Sequence, residues 1–332
     1  MSTSGESQDL TDSRPAAEDH AERAAEEVRE TSVGRGGELV FNGISTVSGL
    51  SILGILAAVA IFLVAQAIPA LTSPADELPY GEFWTWVAPY AFGTVWAAIL
   101  ALGMAVPVSI GIALFISHYA PRKLAAGLGY IVDLLAAVPS VVFGLWGINA
   151  LAPAITPLYI WLNKYLGWIP LFGGQVSATG RTMLTAALVL AVMVLPIITA
   201  LCREVFLQTP KLHEEASLAL GATRWEMVKQ AVFPFAMPGI ISAAMLGLGR
   251  ALGETMAVAM VLSPSSEIHF ALLTPQNSNT IAANIALSFP EAFGLGINQL
   301  IASGLVLFVI TLAVNMGARA IIASRAEFSG AN

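Results

Sequence analysis

Two opposite charges stand in one apolar stretch of the sequence. Arg250 and Glu254 lie within Gly239–Leu262, a run long enough to cross a bilayer as a helix. A charged side chain in the middle of a membrane helix costs about 2.5 to 3.5 kcal/mol on insertion scales, so we expect both side chains to face protein or a water-filled cavity. At a spacing of four residues they share one helix face and can contact each other.

This pair has two interpretations, and both stay open on the residues alone. In the first, Arg250 and Glu254 form a purely structural ion pair. In the second, the planar fork of donors on Arg250 binds an oxyanion, while Glu254 accepts a hydrogen bond from a protonated oxygen of that anion. A fully deprotonated anion would leave the Glu254 carboxylate unpaired in a desolvated site, which costs free energy. The second interpretation therefore favours phosphate over sulfate.

The composition indicates an integral membrane protein. Of 332 residues, 56% are hydrophobic and 11% are charged, and the mean hydropathy is +0.75. Cys202 is the only cysteine, which excludes a disulfide framework and a multi-cysteine metal site. The four His form no zinc motif, and no Lys follows a glycine-rich phosphate loop. We expect no metal, no other cofactor, no nucleic-acid partner and no ATP hydrolysis by this chain.

Six apolar segments have the roughly 20 residues that a membrane-spanning helix needs. They lie near Ile44–Ile68, Tyr90–Ile116, Gly127–Leu151, Thr182–Cys202, Gly239–Leu262 and Ile297–Ala318. The predicted fold class is an all-α integral membrane protein with six transmembrane helices. Lys and Arg concentrate in alternate connections and in both terminal segments, whereas Pro69–Pro89 and Ser263–Gly296 contain neither. Since these residues accumulate on the cytoplasmic side, we expect a multi-pass protein with both termini in the cytoplasm.

The same features divide the chain into four predicted regions. Residues 1–38 contain ten of the 22 acidic residues and few large apolar groups, which predicts a disordered acidic cytoplasmic tail. Residues 39–89 form the first transmembrane helix and an external loop. Residues 90–322 form the transmembrane core, and residues 323–332 form a short cytoplasmic C-terminus.

The connection Ala152–Gly180 is rich in aromatic residues. Such residues suit the membrane interface, so we expect an interfacial helix at the outer surface, with a docking surface for an external protein as the second possibility. The aromatic residues are Tyr159, Trp161, Tyr165, Trp168 and Phe172. Pro139, inside the third apolar segment, predicts a bend there.

The connection between the fourth and fifth segments predicts two short helices. Thr209 is a good N-cap with Pro210 at the first helical position, and Gly221 ends this helix. Thr223 then caps a second helix, which runs to a turn at Pro234. Four apolar side chains on these helices are expected to face a groove on a partner, namely Leu218, Leu220, Trp225 and Val228.

This connection resembles the EAA loop of bacterial type I ABC importer permeases. Glu215-Ala216-Ser217, Gly221 and Ala231-Val232-Phe233-Pro234 keep the spacing of that motif, although Ser217, Ala231 and Phe233 depart from its usual residues. In that family the loop forms coupling helices between the fourth and fifth transmembrane helices, which lie in a cleft of the ATPase subunit. The resemblance implies that the ATPase-coupling residues here are Glu215, Ala216, Gly221 and Pro234.

Two further stretches resemble signatures of the permease subunits of the phosphate uptake (Pst) system. They are Gly247–Ala257 and Leu134–Gly144, and the likeness spans about Tyr90 to Arg319. The polar tail and the extra first helix fit the PstC-type subunit better than its PstA-type partner.

The resemblance also implies a substrate, a location and a set of partners. The substrate is phosphate, the location is the bacterial plasma membrane, and the path residues are Arg250, Glu254, Pro139 and Ser140. The implied partners are a second homologous permease of the PstA type, two ATPase subunits and an extracytoplasmic phosphate-binding protein. Three other functions stay open: a permease for another oxyanion, a proton-coupled secondary phosphate transporter with Glu254 as its proton site, and a sensor that moves nothing.

Overall fold

The computed structural model describes the backbone of residues 14–326 and the side chains of residues 37, 39–263 and 265–320. Within this part of the chain twelve α-helices follow one another, and a two-residue parallel strand pair joins β1 (Pro264–Ser265) to β2 (Asn277–Ser278). The helices are α1 (Arg14–Thr72), α2 (Phe83–Leu114), α3 (Arg122–Ala136), α4 (Ser140–Trp146), α5 (Ala152–Leu166), α6 (Met183–Leu207), α7 (Lys211–Ala219), α8 (Arg224–Met227), α9 (Phe233–Leu252), α10 (Met256–Val261), α11 (Ile281–Ser288) and α12 (Leu295–Ala326).

Six stretches of helix in the described residues are long and apolar enough to cross a membrane, which confirms the predicted number. They are Leu39–Thr72, Phe83–Tyr119, Ser140–Leu166, Met183–Leu207, Arg224–Leu252 and Leu295–Ala320. Three of these stretches contain a π-helical turn, at Phe115–Tyr119, Gly147–Leu151 and Val228–Val232. The second, third and fifth spans therefore each consist of helical pieces joined without a loop.

The third predicted segment, Gly127–Leu151, is wrong. The chain leaves the helix after Ala136, and Pro139 adopts an extended conformation at the start of α4. Proline cannot donate a backbone hydrogen bond, and it disfavours helix in the residue before it, so the break falls here. The span that follows continues through α5, so the predicted interfacial helix is instead its second half.

Tyr159 shows why α5 belongs to the bundle rather than to the surface. Its side chain is fully buried, and its hydroxyl lies 2.7 Å from the Thr185 hydroxyl at the start of α6. Thr185 also donates to the carbonyl oxygen of Gly180 at 2.6 Å. Trp161 and Tyr165 remain exposed, as expected for aromatic residues near a membrane interface.

The core lies where α2, α6 and α9 pack together. Small residues on α2 let its backbone approach α6, and Gly247 on α9 packs directly against Ile198 on α6. Ser109 of α2 also donates to the carbonyl oxygen of Leu195 at 3.1 Å. The buried alanines of α2 are Ala97, Ala98, Ala101, Ala105 and Ala113.

The four predicted regions stay a prediction. The chain forms two compact units, residues 1–62 and 63–332. Residues 1–13 of the tail that was predicted to be disordered, and residues 327–332 of the predicted C-terminus, lie outside the described residues. Helix α1 begins at Arg14, within that tail.

Candidate substrate path and coupling surface

The helix that carries the two candidate binding residues is broken between them. Helix α9 ends at Leu252, and the amide of Gly253 still donates to the Gly249 carbonyl oxygen at 3.2 Å. Helix α10 begins only at Met256. The predicted continuous helix over Gly239–Leu262 is therefore wrong. Glycine is a poor helix former, and Gly249 and Gly253 weaken α9 at its end.

Glu254 lies at the start of the new helix. Its side chain is buried, and its Oε1 accepts a hydrogen bond from the amide of Ala257 at 3.1 Å. A carboxylate at this position satisfies an amide that has no partner within the helix, and it interacts favourably with the positive end of the helix dipole. Glu254 thus presents a buried acceptor held by the backbone of α10.

Arg250 lies on a different side of the break. It is exposed in the last turn of α9, where a cation is favourable, whereas Ala243, Gly247 and Ala251 are buried. The prediction that Arg250 and Glu254 share one face of a continuous helix is wrong. Within the described residues no ion pair joins Arg250 to a carboxylate, so the structural ion pair is not formed.

A cavity of about 490 Å³ lies beside Arg250. Its wall includes Asn315 of α12, whose amide group is the other nitrogen donor of the lining. A guanidinium and an amide at one cavity can together donate hydrogen bonds to an oxyanion. The full lining is Ile197, Ser242, Met245, Leu246, Gly249, Arg250 and Asn315.

A second helix break lies close to the first. Helix α4, which begins at Ser140 just after Pro139, packs against α10. A side-chain carbon added at Gly144 would lie 2.9 Å from the Cα of Ala257, so glycine is required for this contact. Pro139 is exposed and Ser140 is half-buried. The fold thus brings the element that carries these two residues next to the helix that Glu254 begins.

Two residues near this site were missed by the sequence analysis. Arg181 donates to three carbonyl oxygens at the end of α10, those of Met260 and Leu262 at 3.1 Å and that of Val261 at 3.5 Å. It therefore fixes the far end of the helix that Glu254 starts. The second missed residue is Asn315. In the sequence, Arg181 could have been noticed as an arginine directly before a membrane helix, and Asn315 as a lone amide side chain within an apolar run.

The predicted pair of short helices is confirmed at the other end of α6. Gly221 has a φ of +89°, a left-handed conformation that favours glycine, and it ends α7. The amide of Gly221 donates to the Leu218 carbonyl oxygen at 3.0 Å, and the amide of Ala222 donates to the Ser217 carbonyl oxygen at 3.2 Å. These two bonds form the Schellman motif that ends many helices. Thr223 caps α8 together with Glu226.

Three details of this region differ from the prediction. The N-cap of α7 is Pro210, not Thr209, and Thr209 is buried. Val228 is fully buried in the core, so it cannot face a partner. No turn occurs at Pro234, because α8 continues through the π-helical turn into α9 and proline is tolerated in the first turn of a helix.

The four predicted coupling residues are all exposed. Glu215 and Ala216 lie on α7, Gly221 lies in the turn, and Pro234 lies at the start of α9. Three of the four apolar side chains predicted to face a partner are exposed as well, namely Leu218, Leu220 and Trp225. Together these residues form an outward surface of mixed acidic and apolar character.

Residues 105–325 match the family described as "Binding-protein-dependent transport system inner membrane component". The chain belongs to this family. It is therefore a membrane subunit of a transport system rather than an enzyme, and members of this family act with a separate binding protein.

Within this family, the chain is similar to PstC permeases. It is 44% identical to "Phosphate transport system permease protein PstC 2" of Mycobacterium bovis over 304 residues, covering 86% of this chain and 92% of the relative. It is 46% identical to PstC of Mycobacterium leprae over 279 residues, covering 80% of this chain and 87% of the relative.

A solved transporter structure has a similar fold to this chain. The chain resembles a subunit of a bacterial ABC transporter involved in the import of the acidic polysaccharide alginate, with a TM-score of 0.56 and 17% identity. The match covers 82% of this chain and 93% of that subunit. The predicted type I ABC importer permease fold is confirmed.

Proposed function

We propose that this chain is the PstC-type permease subunit of an ATP-driven importer that moves inorganic phosphate into the cytoplasm. The observation that carries this proposal is the helix break, with an exposed guanidinium at the end of α9 and a buried carboxylate at the start of α10. Discontinuous membrane helices of this kind form ion and substrate sites in transporters. The similarity to the PstC permeases supports phosphate as the substrate.

Each path residue has a separate role in this proposal. The fork of donors on Arg250 binds two oxygens of phosphate, and the Asn315 amide donates a further hydrogen bond. Glu254 accepts a hydrogen bond from the protonated oxygen that phosphate retains near pH 7. Pro139 and Ser140 line the path at the neighbouring break. Because Oε1 of Glu254 accepts from the amide of Ala257 in this conformation, its other carboxylate oxygen is the one left to accept from the substrate.

The coupling surface is proposed to contact one ATPase subunit, and the assembled importer contains two of them. Glu215, Ala216, Gly221 and Pro234 are exposed where a partner can reach them, and α8 joins α9 without a loop. A displacement of the coupling surface is thus transmitted by continuous helix toward Arg250. The complete complex also contains a PstA-type permease and an extracytoplasmic phosphate-binding protein.

The proposed location is the bacterial plasma membrane with both termini in the cytoplasm. The external connections Pro69–Pro89 and Ser263–Gly296 contain no Lys or Arg, while the connection that forms α7 and α8 contains three, namely Lys211, Arg224 and Lys229. This asymmetry supports the orientation, since positive charge is retained on the cytoplasmic side. Cysteine labelling from outside, at the exposed positions Ser266→Cys and Gln208→Cys, tests it. Labelling of the second position and not the first would contradict the orientation.

Uptake of labelled phosphate by the purified complex in proteoliposomes tests the function. Arg250→Ala is expected to lower uptake by about 10- to 100-fold, since the substrate loses charge-assisted hydrogen bonds worth about 1.5 to 3 kcal/mol. Arg319→Ala, which removes another exposed arginine, is the control. Co-purification of all subunits must be unchanged in both variants. Normal uptake with Arg250→Ala would remove the substrate role and would favour a sensor that moves nothing.

The same vesicles distinguish phosphate import by ATP from two different kinds of transport. Excess sulfate or molybdate should leave phosphate uptake unchanged, and strong competition would indicate a permease for another oxyanion. Uptake that continues without ATP while a proton gradient is maintained would indicate a secondary transporter with Glu254 as its proton site.

A further inference from the structure

A second polar cavity lies at the end of the bundle from which α7 emerges. It has a volume of about 480 Å³ and lies between the π-helical turn after α2, one side of α3 from Arg122 to Asp133 and the C-terminal end of α6. It shares no residue with the cavity beside Arg250. Its polar lining consists of Ser117, Arg122, Tyr130, Asp133 and Arg203.

Arg203 occupies this cavity with unused hydrogen-bonding capacity. Its Nε is buried and has no hydrogen-bond partner, and within the described residues no carboxylate lies within 4.0 Å of its guanidinium. Because the buried Nε is closed off from the cavity, the donors of Arg203 that a ligand in the cavity can reach are those of the terminal guanidinium nitrogens. The position of Arg203 is fixed by α3, because the guanidinium lies directly against Gly129, where a side-chain carbon would overlap it.

Other groups make the cavity attractive to an anion. Arg122 is the first residue of α3, so the unpaired amides and the positive dipole end of a 15-residue helix lie at the same wall. The hydroxyl group of Tyr130 is an additional donor, whereas that of Ser117 donates to a ligand only by giving up its contact with Leu114 or His118. Asp133 is the one acid in the lining, so the two arginines leave a net positive charge.

We propose that this cavity binds a phosphate group through Arg122 and Arg203. Arginine presents a planar fork that matches the geometry of phosphate oxygens. The phosphate group belongs either to inorganic phosphate or to the headgroup of an anionic phospholipid, since the two share this chemistry. This site is separate from the transport path and does not depend on the proposed substrate.

The position of the cavity gives its occupancy a direct connection to α7. The hydroxyl of Ser117, in the cavity wall, lies 2.7 Å from Nδ1 of His118. The other ring nitrogen of His118 lies 3.5 Å from Oε1 of Glu214 on α7. A ligand that binds Ser117 thus acts on a side chain that holds α7 against the bundle.

Binding is measured on the complex of permease and ATPase subunits, without the external binding protein, and the permease carries Arg250→Ala to weaken phosphate binding at the path. Calorimetry with inorganic phosphate tests one source, and native mass spectrometry after exchange into vesicles that contain phosphatidylglycerol tests the other. Arg203→Gln and Arg122→Gln should each weaken binding of the ligand that occupies the cavity, phosphate or phosphatidylglycerol, by about tenfold. This is the effect expected from the loss of one charged hydrogen bond. Lys123→Gln is the matched control, since Lys123 is exposed, adjacent to Arg122 and absent from the lining.

Two further variants keep the test decisive if the arginine variants fail to assemble. Gly129→Ala retains every charge but displaces the guanidinium of Arg203, and it should weaken binding. Asp133→Asn removes the only acid of the lining and should strengthen binding. A change in the calorimetric measurement alone assigns the site to inorganic phosphate, and a change in retained lipid alone assigns it to a headgroup. Binding that responds to these four variants no more than to Lys123→Gln, in both measurements, overturns the proposal.

Discussion

Nε2 of His118 lies 3.5 Å from Oε1 of Glu214, and this contact joins the end of the second span to the first coupling helix. The ring of His118 also packs edge-on against Phe206 at a centroid distance of 6.3 Å. Glu214 is therefore turned toward the bundle, whereas the next residue, Glu215, is exposed. Two adjacent acids on α7 thus face opposite ways, one toward the permease and one toward the proposed ATPase.

Loss of the His118 contact should loosen α7 without unfolding the protein. A partly exposed contact of this kind contributes up to about 1 kcal/mol, so His118→Ala should change thermal stability little. We expect fewer phosphate ions imported per ATP hydrolysed, because α7 moves without pulling α2. The control is His269→Ala, which breaks the 2.8 Å contact with Glu267 at the opposite end. Equal coupling ratios in the two variants would contradict this role for His118.

Gly221 should be required for coupling because of its backbone conformation. At a φ of +89°, Gly221→Ala costs about 1 to 2 kcal/mol and disturbs the turn between α7 and α8. We expect less ATPase to co-purify with the permease and a smaller stimulation of ATP hydrolysis by phosphate. Gly81→Ala is the matched control, since Gly81 has a φ of +81° in the loop before α2. Both should lower thermal stability, and only Gly221→Ala should lower coupling. A similar loss of coupling in both would assign the effect to general destabilisation.

Gly144 should control the spacing between the two helix breaks. A methyl group there contacts the Cα of Ala257 at 2.9 Å, so Gly144→Ala must push α4 away from α10. Overpacking of this kind costs about 1 to 3 kcal/mol, and uptake should fall together with the melting temperature. Gly103→Ala in the middle of α2 has open space around it and is expected to be neutral or stabilising. A melting temperature for Gly144→Ala that matches the wild type would show that α4 and α10 are not tightly packed.

Glu254 should determine anion selectivity more than anion affinity. Glu254→Gln keeps an oxygen that can accept from the amide of Ala257, so α10 should still form. The new amide can also donate, which removes the penalty against a fully deprotonated anion. We expect sulfate to compete with phosphate in the variant and not in the wild type, measured by inhibition of phosphate uptake. Unchanged exclusion of sulfate would rule out Glu254 as the selectivity group.

The parts of the structure that the sequence predicted well are those that local interactions determine. The turn at Gly221 and the cap at Thr223 follow from backbone conformation and from side chains three residues away. The number of spans follows from apolar length alone. These features need no knowledge of what packs against them.

The break between Arg250 and Glu254 could not be predicted in the same way. Apolar helical spacing continues across Gly253, so periodicity favours one helix. The break is stabilised instead by the Glu254 contact to Ala257, by Arg181 at the far end of α10 and by the packing of Gly144. Arg181 and Gly144 are distant in sequence. The side on which Arg250 lies was mispredicted for the same reason, since it depends on where α6 and α12 pack against α9.

The π-helical turn at Val228–Val232 has a consequence for the length of the chain. Such a turn holds one more residue than an α-helical turn, and each residue of an α-helix advances the side chains by about 100°. Removing a single residue there would restore regular helix and leave the direction of everything beyond it, Arg250 included, nearly unchanged, because the wide turn already holds the extra residue. Removing a residue from the regular part of α9 before Arg250 would instead rotate Arg250 by about 100° relative to the coupling surface. Homologous chains should therefore tolerate the loss of one residue within Val228–Val232 better than within α9.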